Sequence, residues 1–455
     1  MRSTPLAFFP WVASVALVPW LTSACSGDKK DEGDPGDAST DTDADADTDS
    51  DTDLDSDTDS DTATDTEEPF GEIVIEQIYF PGMNLGEAIL IVGPDGTSVL
   101  VDAANDSQSP EVFEAVERRL GARAVDWVVI THYHNDHIGG FDNLFVASAI
   151  NGYDPIAVAR GVVSRGFFDV AEDTIAVEDF LELCGALESE EWAGLRTDLC
   201  AAAAAMPCGG DATGAPWPAG GCDGLLLGDL GDPADDGAAL LSYIALGGGA
   251  RLYLYQADAR VAASGAVISA EDEGLTVGWG ATDPENARSV GGALRWGDFT
   301  WTFNGDTPAD APAMEGFIAE LGDGISYGGS ASPLVPGGDA DVVHLGHHGL
   351  PSATGQPWVD WLFPDDGLAR NAVIGATGLY YHSPAQEVLD RVGARLGDGR
   401  IWTTALGLLP GSHEKLIVAD GAVVTRIRDG GASYEMSVWS GGAESEIREY
   451  DSTVP

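Results

Sequence analysis

The sequence predicts an α/β fold in which strands and helices pack in layers. Three observations support this prediction: short β-branched runs are separated by turn residues, one segment has helical spacing of its apolar residues, and a cluster of histidines follows an apolar run. That apolar run, residues 125–130, indicates a buried strand. A site carried on a loop after a buried strand is typical of layered α/β proteins.

The first elements of the globular part are predicted between residues 73 and 130. Strands are expected at residues 73–80, 88–92, 98–102 and 125–130. Apolar residues on one helical face predict a helix over residues 110–120, with Ser109 as a candidate N-cap.

Strand-like segments return after residue 290. They cover residues 292–296, 299–303, 341–345 and 371–376, and a helix is predicted over about residues 385–396. Residues 400–438 indicate closing β-structure, and residues 441–455 indicate a polar tail. The globular domain is therefore expected to span residues 70–440, with an insertion at residues 148–280 that is rich in alanine, glycine and acidic residues.

The insertion contains four cysteines: Cys184, Cys200, Cys208 and Cys222. In an exported protein, an even number of cysteines in one short window predicts two local disulfides. A structural zinc site is the alternative, and it is weaker because the spacings lack a C-x-x-C pattern. We expect the insertion to shape a lid or a substrate wall.

The N-terminal region predicts export. Residues 1–25 combine Arg2, an apolar stretch and small residues before Cys25, which is typical of a bacterial lipoprotein signal peptide with Cys25 as the lipidated residue. Simple secretion after Ala24 is the alternative. Residues 26–69, rich in Asp, Thr and Ser, have almost nothing apolar to bury and predict a disordered spacer. A calcium-binding array is a weaker reading of this repeat, because no glycine-turn loop of the EF-hand type accompanies it. The expected location is thus a membrane-anchored lipoprotein, with the lipid as its one membrane contact.

The net charge of the chain restricts its partners. The formal net charge is −55, and residues 69–455 alone hold 57 acidic against 18 basic residues. Such a field repels nucleic acid and anionic membrane surfaces, and it attracts metal cations. Long nucleic acid is therefore disfavoured as a partner, and a small or surface-borne substrate is preferred.

Residues 131–140, with the sequence THYHNDHIGG, hold three of the eight histidines. Imidazole nitrogens and a carboxylate crowded at a strand end, before a Gly-Gly break, are what a metal site needs. The alternative is a polar loop whose histidines only form hydrogen bonds. The candidate ligands in this motif are His132, His134, Asp136 and His137.

The THYHNDHIGG motif resembles the signature of the metallo-β-lactamase fold superfamily, which implies an αββα sandwich and hydrolase activity. Residues 86–91 and 100–102 match before the motif, and residues 285–289, 304–306, 346–349 and 382–384 match after the insertion. The order of these pieces is similar to the metallo-β-lactamase-like domain of the competence protein ComEC and to phosphorylcholine esterase domains.

The resemblance implies a centre with two divalent ions, expected to be Zn with Mn or Fe as alternatives. The implied ligands are His132 and His134 for the first ion, Asp136 and His137 for the second, and Asp306 as a bridge between both. One histidine of the pair His347-His348 would complete the second site; His347 is favoured, although the sequence does not separate the two. Asp102 would orient the histidine loop from behind.

The same resemblance suggests the groups that move protons and bind substrate. Asp136 is expected to serve catalysis as well as metal binding, and His348 or His382 would donate a proton to the leaving group or a hydrogen bond to a substrate oxygen. In the resembling esterase and competence families an Asn precedes a Ser in this region, which Asn286 and Ser289 match as predicted substrate-binding residues.

The sequence departs from the true β-lactamases at one place. Those enzymes supply a third histidine to the first metal, whereas residues 138–343 of this chain contain no histidine. This gap disfavours antibiotic hydrolysis. It would leave the first metal more accessible to a substrate oxygen or an anionic group.

The leading interpretation is an exported metal-dependent hydrolase that cleaves a phosphoester or phosphodiester with a hydroxide bridging two metals. The enzymatic alternative is a carboxylic ester, lactone or other non-phosphorus hydrolase on the same centre. From a different class, the chain would be a metal-binding surface lipoprotein without turnover.

Overall fold

The computed structural model describes residues 71–82, 85–132, 134–145, 154–163, 242–257, 260–261, 286, 289–308, 318, 324–325, 335–336, 340–376 and 382–452. All of them belong to the unit Thr66–Pro455. The predicted signal segment with Cys25, the spacer and the four cysteines of the insertion lie outside the described residues.

The described strands, in chain order, are β1 (Ile73–Gln77), β2 (Ile89–Val92), β3 (Ser98–Val101), β4 (Ala124–Val129), β5 (Ala157–Val163), β6 (Ser242–Gly247), β7 (Ala250–Ala257), β8 (Arg260–Val261), β9 (Gly291–Trp296), β10 (Phe299–Phe303), β11 (Gly324–Ile325), β12 (Val335–Pro336), β13 (Val342–His344), β14 (Asn371–Ile374), β15 (Ile401–Thr403), β16 (Leu416–Val418), β17 (Ala422–Arg428), β18 (Ser433–Ser440) and β19 (Ala443–Asp451). The described α-helices are α1 (Ser109–Leu120), α2 (Asn135–Ile138), α3 (Phe141–Phe145), α4 (Gln356–Leu362) and α5 (Gln386–Gly393).

Two large sheets form the frame. The first has the strand order β19-β18-β17-β1-β2-β3-β4-β5, and the second has the order β16-β15-β14-β13-β10-β9-β7-β6, with β8 beside β7. Strands β3 and β4 run parallel in the first sheet, and β10 and β13 run parallel in the second. The short strands β11 and β12 pair with each other.

The two sheets share one core, and helices cover their other faces. The main core cluster combines residues of the first sheet, such as Leu90 and Val128, with Leu294 and Trp301 of the second sheet and with Phe113 of α1. A second cluster packs α4 and α5 against the second sheet through side chains that include Trp358 and Leu389. Because both faces of the central strands are covered, β1 is buried at all of its residues and needs no polar alternation. The predicted αββα sandwich is confirmed.

Helix α1 shows how local sequence sets one of these layers. Pro110 lies in its first turn, and Gly121 ends it with a φ of 66°, donating its N–H to the carbonyl of Glu117. The predicted cap is wrong, because Ser109 is itself the first residue of the helix and Gln108 precedes it. On the sheet side, the fully buried carboxylate of Glu76 in β1 contacts Arg118 and Arg119 of the helix, so the helix and the sheet are joined by charge as well as by apolar packing.

The range predicted for the insertion contains strands of both sheets. Strands β5, β6, β7 and β8 lie within residues 148–280, and β6 and β7 form a hairpin that pairs through β7 with the central strand β9. The hairpin turn falls at Gly247, Gly248 and Gly249, each with a positive φ. Tyr255 and Leu252 of β7 are buried, so this segment is part of the core of the domain.

The predicted polar tail is also different in the structure. Residues Ala443–Asp451 form β19, the outermost strand of the first sheet, which pairs antiparallel with β18. Most of its residues are exposed on both faces. Among the helices of the described ranges, none has both the length and the apolar character needed to cross a membrane.

Candidate metal centre

The candidate site lies where the two parallel strand pairs end. Asp102 directly follows β3, and the histidine motif follows β4. In the second sheet, Asp306 follows β10 by three residues, and His347 and His348 follow β13. Because neighbouring parallel strands end at the same edge of a sheet, each pair brings its polar residues to one edge.

Glycines let the loops of this edge approach closely. Gly305 has a φ of 50°, and a Cβ at this position would lie 3.0 Å from the Cβ of Thr131 and 2.9 Å from Ser289. A Cβ at Gly346 would lie 1.8 Å from the carbonyl oxygen of Gly305. A larger residue at Gly305 would push the loop of Asp306 away from the histidine motif, and one at Gly346 would push it away from the loop of His347 and His348.

Two sets of side chains have ligand atoms within 4.8 Å of one another. The first ligand group is His132, His134 and Asp306, and the second ligand group is Glu87, His137 and His348. In the first group, His132 and Asp306 are buried and His134 is partly exposed; all three members of the second group are buried. The first group contains three of the residues that the sequence predicted as ligands.

Asp306 lies between the two groups. Its Oδ2 is 3.7 Å from Nε2 of His132 and 3.4 Å from Nε2 of His137. Its backbone N–H donates to the hydroxyl of Ser289 at 3.2 Å, and its Oδ1 accepts from the backbone N–H of His347 at 2.8 Å. A carboxylate held in this way faces one histidine from each group.

Asp102 holds the histidine motif from behind. Its carboxylate accepts hydrogen bonds from the backbone N–H of Thr131 at 2.6 Å, from the Thr131 hydroxyl at 2.8 Å and from Nδ1 of His137 at 2.8 Å. This contact fixes the tautomer of His137 so that Nε2 faces Asp306. Asp102 therefore lies where the sequence prediction placed it.

The two histidines of the His347-His348 pair have different environments. His348 is buried, and its Nε2 is 3.1 Å from Oδ2 of Asp136, while its Nδ1 donates to the carbonyl of Gly375 at 2.7 Å. The His347 side chain is 28% exposed, and its Nε2 is 3.9 Å from Oδ2 of Asp306. The structure thus places His348 in the second ligand group, and the favoured His347 lies at the rim.

The other predicted site residues lie in different places. Ser289 is fully buried, and its hydroxyl receives the N–H of Asp306, which is a supporting contact. Asn286 is buried, and its carbonyl accepts from the N–H of Ser289. The side chain of His382 is exposed and donates from Nδ1 to the carbonyl of Leu409 at 3.1 Å, and it belongs to neither ligand group.

Burial and neighbouring charges shift the pKa values of three histidines of the site in different directions. Burial lowers the pKa of His348, but its hydrogen bond to Asp136 and the charge of Glu87 outweigh burial and raise that pKa to about 9. Burial likewise works against the charged ring of His137, yet Asp306 and Asp102 hold its pKa well above the usual value. Burial, helped by the nearby ring of His137, keeps the pKa of His132 well below the usual value. The buried carboxylates of the site therefore favour positive charge next to them, on a histidine ring or on a bound cation.

These residues fit divalent metal ions. Nε2 of His137 is buried and forms no hydrogen bond within the described part of the chain, although it points toward Asp306. A buried ring nitrogen without a hydrogen-bond partner is costly unless a cation takes the place of that partner. Imidazole and carboxylate donors in this mixture suit Zn, Mn or Fe.

Sequence reasoning missed Glu87 as a member of the site. Glu87 lies within the matching residues 86–91, and the resemblance assigns it no role. The one signal in the sequence is an acidic residue two positions before a wholly apolar strand, β2, since a carboxylate close to a buried strand needs a partner.

The chain was compared with curated proteins and with solved structures. No curated protein matches the chain. Similar solved structures include a HARLDQ-motif mutant of a metallo-beta-lactamase from Cronobacter sakazakii, with 16% identity, a TM-score of 0.26, and coverage of 58% of this chain and 74% of the other. A diphosphatase from the PhnP family has 11% identity, a TM-score of 0.29, and coverage of 79% and 99%. The metallo-beta-lactamase Rm3 has 11% identity, a TM-score of 0.24, and coverage of 59% and 76%.

The sequence profile of a known family matches residues 84–311, which is half of the chain. The matched region contains the histidine motif, Asp102 and Asp306, and thus the whole first ligand group. With the two-sheet sandwich and the ligand groups at its edge, this match shows that the chain belongs to the metallo-beta-lactamase superfamily of hydrolases.

Proposed function

We propose that the protein is a hydrolase with a dinuclear metal centre that cleaves a phosphoester or phosphodiester. The observation that carries the proposal is the position of Asp306, whose Oδ2 lies 3.7 Å from His132 Nε2 and 3.4 Å from His137 Nε2. One carboxylate oxygen facing a histidine of each ligand group is the arrangement that two neighbouring ions need.

The chain supplies two sets of ligands with different surroundings. His132, His134 and Asp306 of the first ligand group would hold one ion. His137 and His348 of the second ligand group would hold the other, together with Asp136, whose Oδ2 lies 3.1 Å from Nε2 of His348, and Asp306 would be shared. Two divalent ions at such a site lower the pKa of a bound water and clamp the attacking and leaving oxygens. We assign the second-site histidine to His348 because its Nε2 lies 3.1 Å from Asp136, whereas His347 lies at the rim.

His347 is well placed for proton transfer. Its Nδ1 is hydrogen-bonded to the hydroxyl of Ser352 at 2.8 Å, which leaves Nε2 on the side of Asp306. A partly exposed imidazole at the rim can hold a proton at Nε2 for a leaving group. This role replaces the one that the sequence suggested for His348 and His382.

The substrate class follows from the accessibility of the first ligand group. Residues 138–343 hold no histidine, so the first ion would have two histidines and Asp306, on the side where His134 is partly exposed. A substrate oxygen with negative charge fits such a position, since two divalent ions carry more charge than the carboxylates that would contact them. The similarity in motif order to ComEC-type and phosphorylcholine esterase domains supports a phosphodiester.

The acidity of the chain favours a small or surface-borne phosphoester over long nucleic acid. The lipoprotein-like start of the sequence supports action outside the cytoplasm from a lipid anchor at Cys25. Lipidation of Cys25 predicts that the full chain partitions into detergent and that Cys25→Ser partitions into water.

The second candidate function is hydrolysis of a carboxylic ester or lactone on the same centre, because the same ion pair can also activate attack at a carbonyl. A metal-binding surface protein without turnover is the third. The three are separated by assaying the full chain, with its metal content measured, on bis-(p-nitrophenyl) phosphate, p-nitrophenyl phosphorylcholine and a p-nitrophenyl carboxyl ester in parallel.

The matched variants for this assay are His134→Ala and His413→Ala. His413 lies outside both ligand groups, and its Nδ1 accepts the N–H of Lys415. We expect phosphodiester turnover that falls at least ~100-fold in His134→Ala and is unchanged in His413→Ala, because loss of a metal ligand removes transition-state stabilisation of ~3 kcal/mol or more. Turnover of the carboxyl ester alone would favour the second candidate, and a protein that binds no metal would refute the proposal.

A further inference from the structure

Glu87 is attached by its backbone to the loop that carries Asp136 and His137. Its N–H donates to the carbonyl of Asp136 at 2.9 Å, and its own carbonyl accepts from the N–H of Ala104 at 3.1 Å. Ala104 in turn lies next to Ala103, whose N–H donates to the carbonyl of His137 at 2.6 Å. Glu87, two positions before β2, is therefore tied to the two motif residues that would bind the second ion.

The carboxylate of Glu87 lies behind His348. Its Oε1 is 2.5 Å from Nε2 of His344, and its Oε2 is 3.6 Å from Nδ1 of His348. Glu87 is buried, with 3% of its side chain exposed, so the attraction to these two rings is little screened by water.

The positions of the two ring nitrogens of His348 distinguish two roles for Glu87, direct metal coordination and orientation of His348. Nε2 faces Asp136, the side on which a metal would lie, while Nδ1 faces Gly375 and Glu87. Ring geometry places these nitrogens on opposite edges of the imidazole, so a carboxylate near Nδ1 lies on the side away from the ion. Glu87 is therefore positioned to act through His348, and direct coordination is disfavoured.

Close packing fixes this arrangement. A Cβ at Gly375 would lie 2.5 Å from Nε2 of Gln77 and 3.4 Å from the carboxyl carbon of Glu87, so the glycine packs closely against both side chains while its carbonyl receives Nδ1–H of His348. The backbone of His348 has a φ of 54°, an unfavourable value for a non-glycine residue that persists only where surrounding contacts impose it. The hydrogen bond from the hydroxyl of Ser383 to the carbonyl of His348 is one of those contacts.

We propose that Glu87, held in turn by His344, is a positioning residue that orients His348 toward the second metal ion. Nδ1–H of His348 donates to the carbonyl of Gly375, and the buried carboxylate of Glu87, 3.6 Å from Nδ1, adds negative charge on that side of the ring, which favours the Nδ1–H tautomer and makes Nε2 a better ligand. The inference rests on the proposed dinuclear function, because it assigns His348 to an ion.

The test is the Zn²⁺ affinity of the full chain, measured by competition with a coloured chelator. We expect Glu87→Gln to weaken one of the two sites by ~10- to 100-fold and to leave the other unchanged. Glu76→Gln is the matched control, because Glu76 is also a buried, ion-paired carboxylate of the first sheet, and its partners are Arg118 and Arg119. This variant is expected to lower the thermal midpoint of the metal-free protein without changing either affinity.

A double substitution separates a positioning role from a general structural one. In a His348→Ala background, Glu87→Gln should change Zn²⁺ affinity by less than ~2-fold, because a residue that acts through His348 has nothing left to orient. His344→Phe removes the ring that contacts Oε1 of Glu87 and is the second variant if Glu87→Gln does not fold. It should weaken the same site by a smaller factor.

The outcomes are distinct. Wild-type protein that binds two ions together with a Glu87→Gln variant of unchanged affinity overturns this inference and leaves the proposed function intact. Equal weakening of both sites in Glu87→Gln and in Glu76→Gln would also overturn it, since that pattern reports a general loss of stability. Wild-type protein that binds no Zn²⁺ overturns the proposed function itself.

Discussion

The two ligand groups differ in how they meet solvent and how they are supported. The second group is buried throughout, and both of its histidines have a buried carboxylate near Nδ1: Asp102 for His137 and Glu87 for His348. The first group includes the partly exposed His134, and Nδ1 of His132 lies 3.1 Å from the Thr131 hydroxyl, so the carboxylate of Asp102 reaches this ring only through that hydroxyl.

This difference suits two ions with different roles at one edge of the sandwich. Carboxylates behind the second group make its histidines stronger ligands, which suits an ion that stays in place. Weaker support and greater exposure in the first group suit an ion that shares its coordination with a substrate. We therefore expect the second site to bind metal more tightly than the first.

Asp306→Asn is expected to have the largest effect, because this side chain joins the two groups. Without the charge of the shared carboxylate, the protein should lose both ions. Phosphodiester turnover should fall by ~1,000-fold or more, which corresponds to a loss of about 4 kcal/mol of transition-state stabilisation. Metal content after dialysis and turnover are measured together. A variant that keeps two ions would show that Asp306 is not shared.

The histidine pair gives the next largest effect and separates the groups. His348→Ala should lose the second ion alone, whereas His347→Ala should keep both ions and lower turnover by ~100-fold, as expected for loss of a general acid. Metal stoichiometry of the two variants is the measurement. The opposite result, one ion lost in His347→Ala and two kept in His348→Ala, would restore the assignment that the sequence favoured.

The pH dependence of the metal-free protein gives the smallest effect. The pKa of His348 is raised from 6.5 to about 9 by Asp136 and Glu87, which outweigh burial. Because the folded pKa lies above the unfolded one, the stabilisation is complete below pH 6.5 and is lost as pH rises through about 9. The loss in the free energy of unfolding should be roughly 3 kcal/mol at most.

This loss is measured by urea unfolding of chelator-treated protein between pH 6 and 10, with His348→Ala as the control. The variant should lack this part of the pH dependence. If the free energy of unfolding has the same pH dependence in the wild type and in the variant over this range, His348 does not carry the proton in the folded state.

The histidine motif was predictable because its chemistry is local. His132, His134, Asp136 and His137 fall within six positions after an apolar strand, so sequence alone shows that they meet. Asp306 was reached only through the order of later motifs. His347 and His348 are adjacent and both have a positive φ, so only the fold decides which ring turns toward Asp136.

Other features required tertiary contacts that sequence patterns do not contain. Glu87 gains its role from His344 and His348, more than 250 positions away in the chain. Strands β6 and β7 were hidden in a region dominated by alanine, glycine and acidic residues, although three glycines between two apolar runs were a hairpin signal. Strand β19 was not predicted, because its many charged residues give no apolar alternation.

The exposed outer strand has a consequence for the behaviour of many copies of the chain. An unpaired strand edge offers hydrogen-bonding groups to any second edge, and this is a common start of aggregation. Strand β19 carries acidic side chains at Glu444, Glu446, Glu449 and Asp451, so two such edges would bring like charges face to face. Strand β19 therefore disfavours edge-to-edge assembly at the side of the first sheet that no other described element covers.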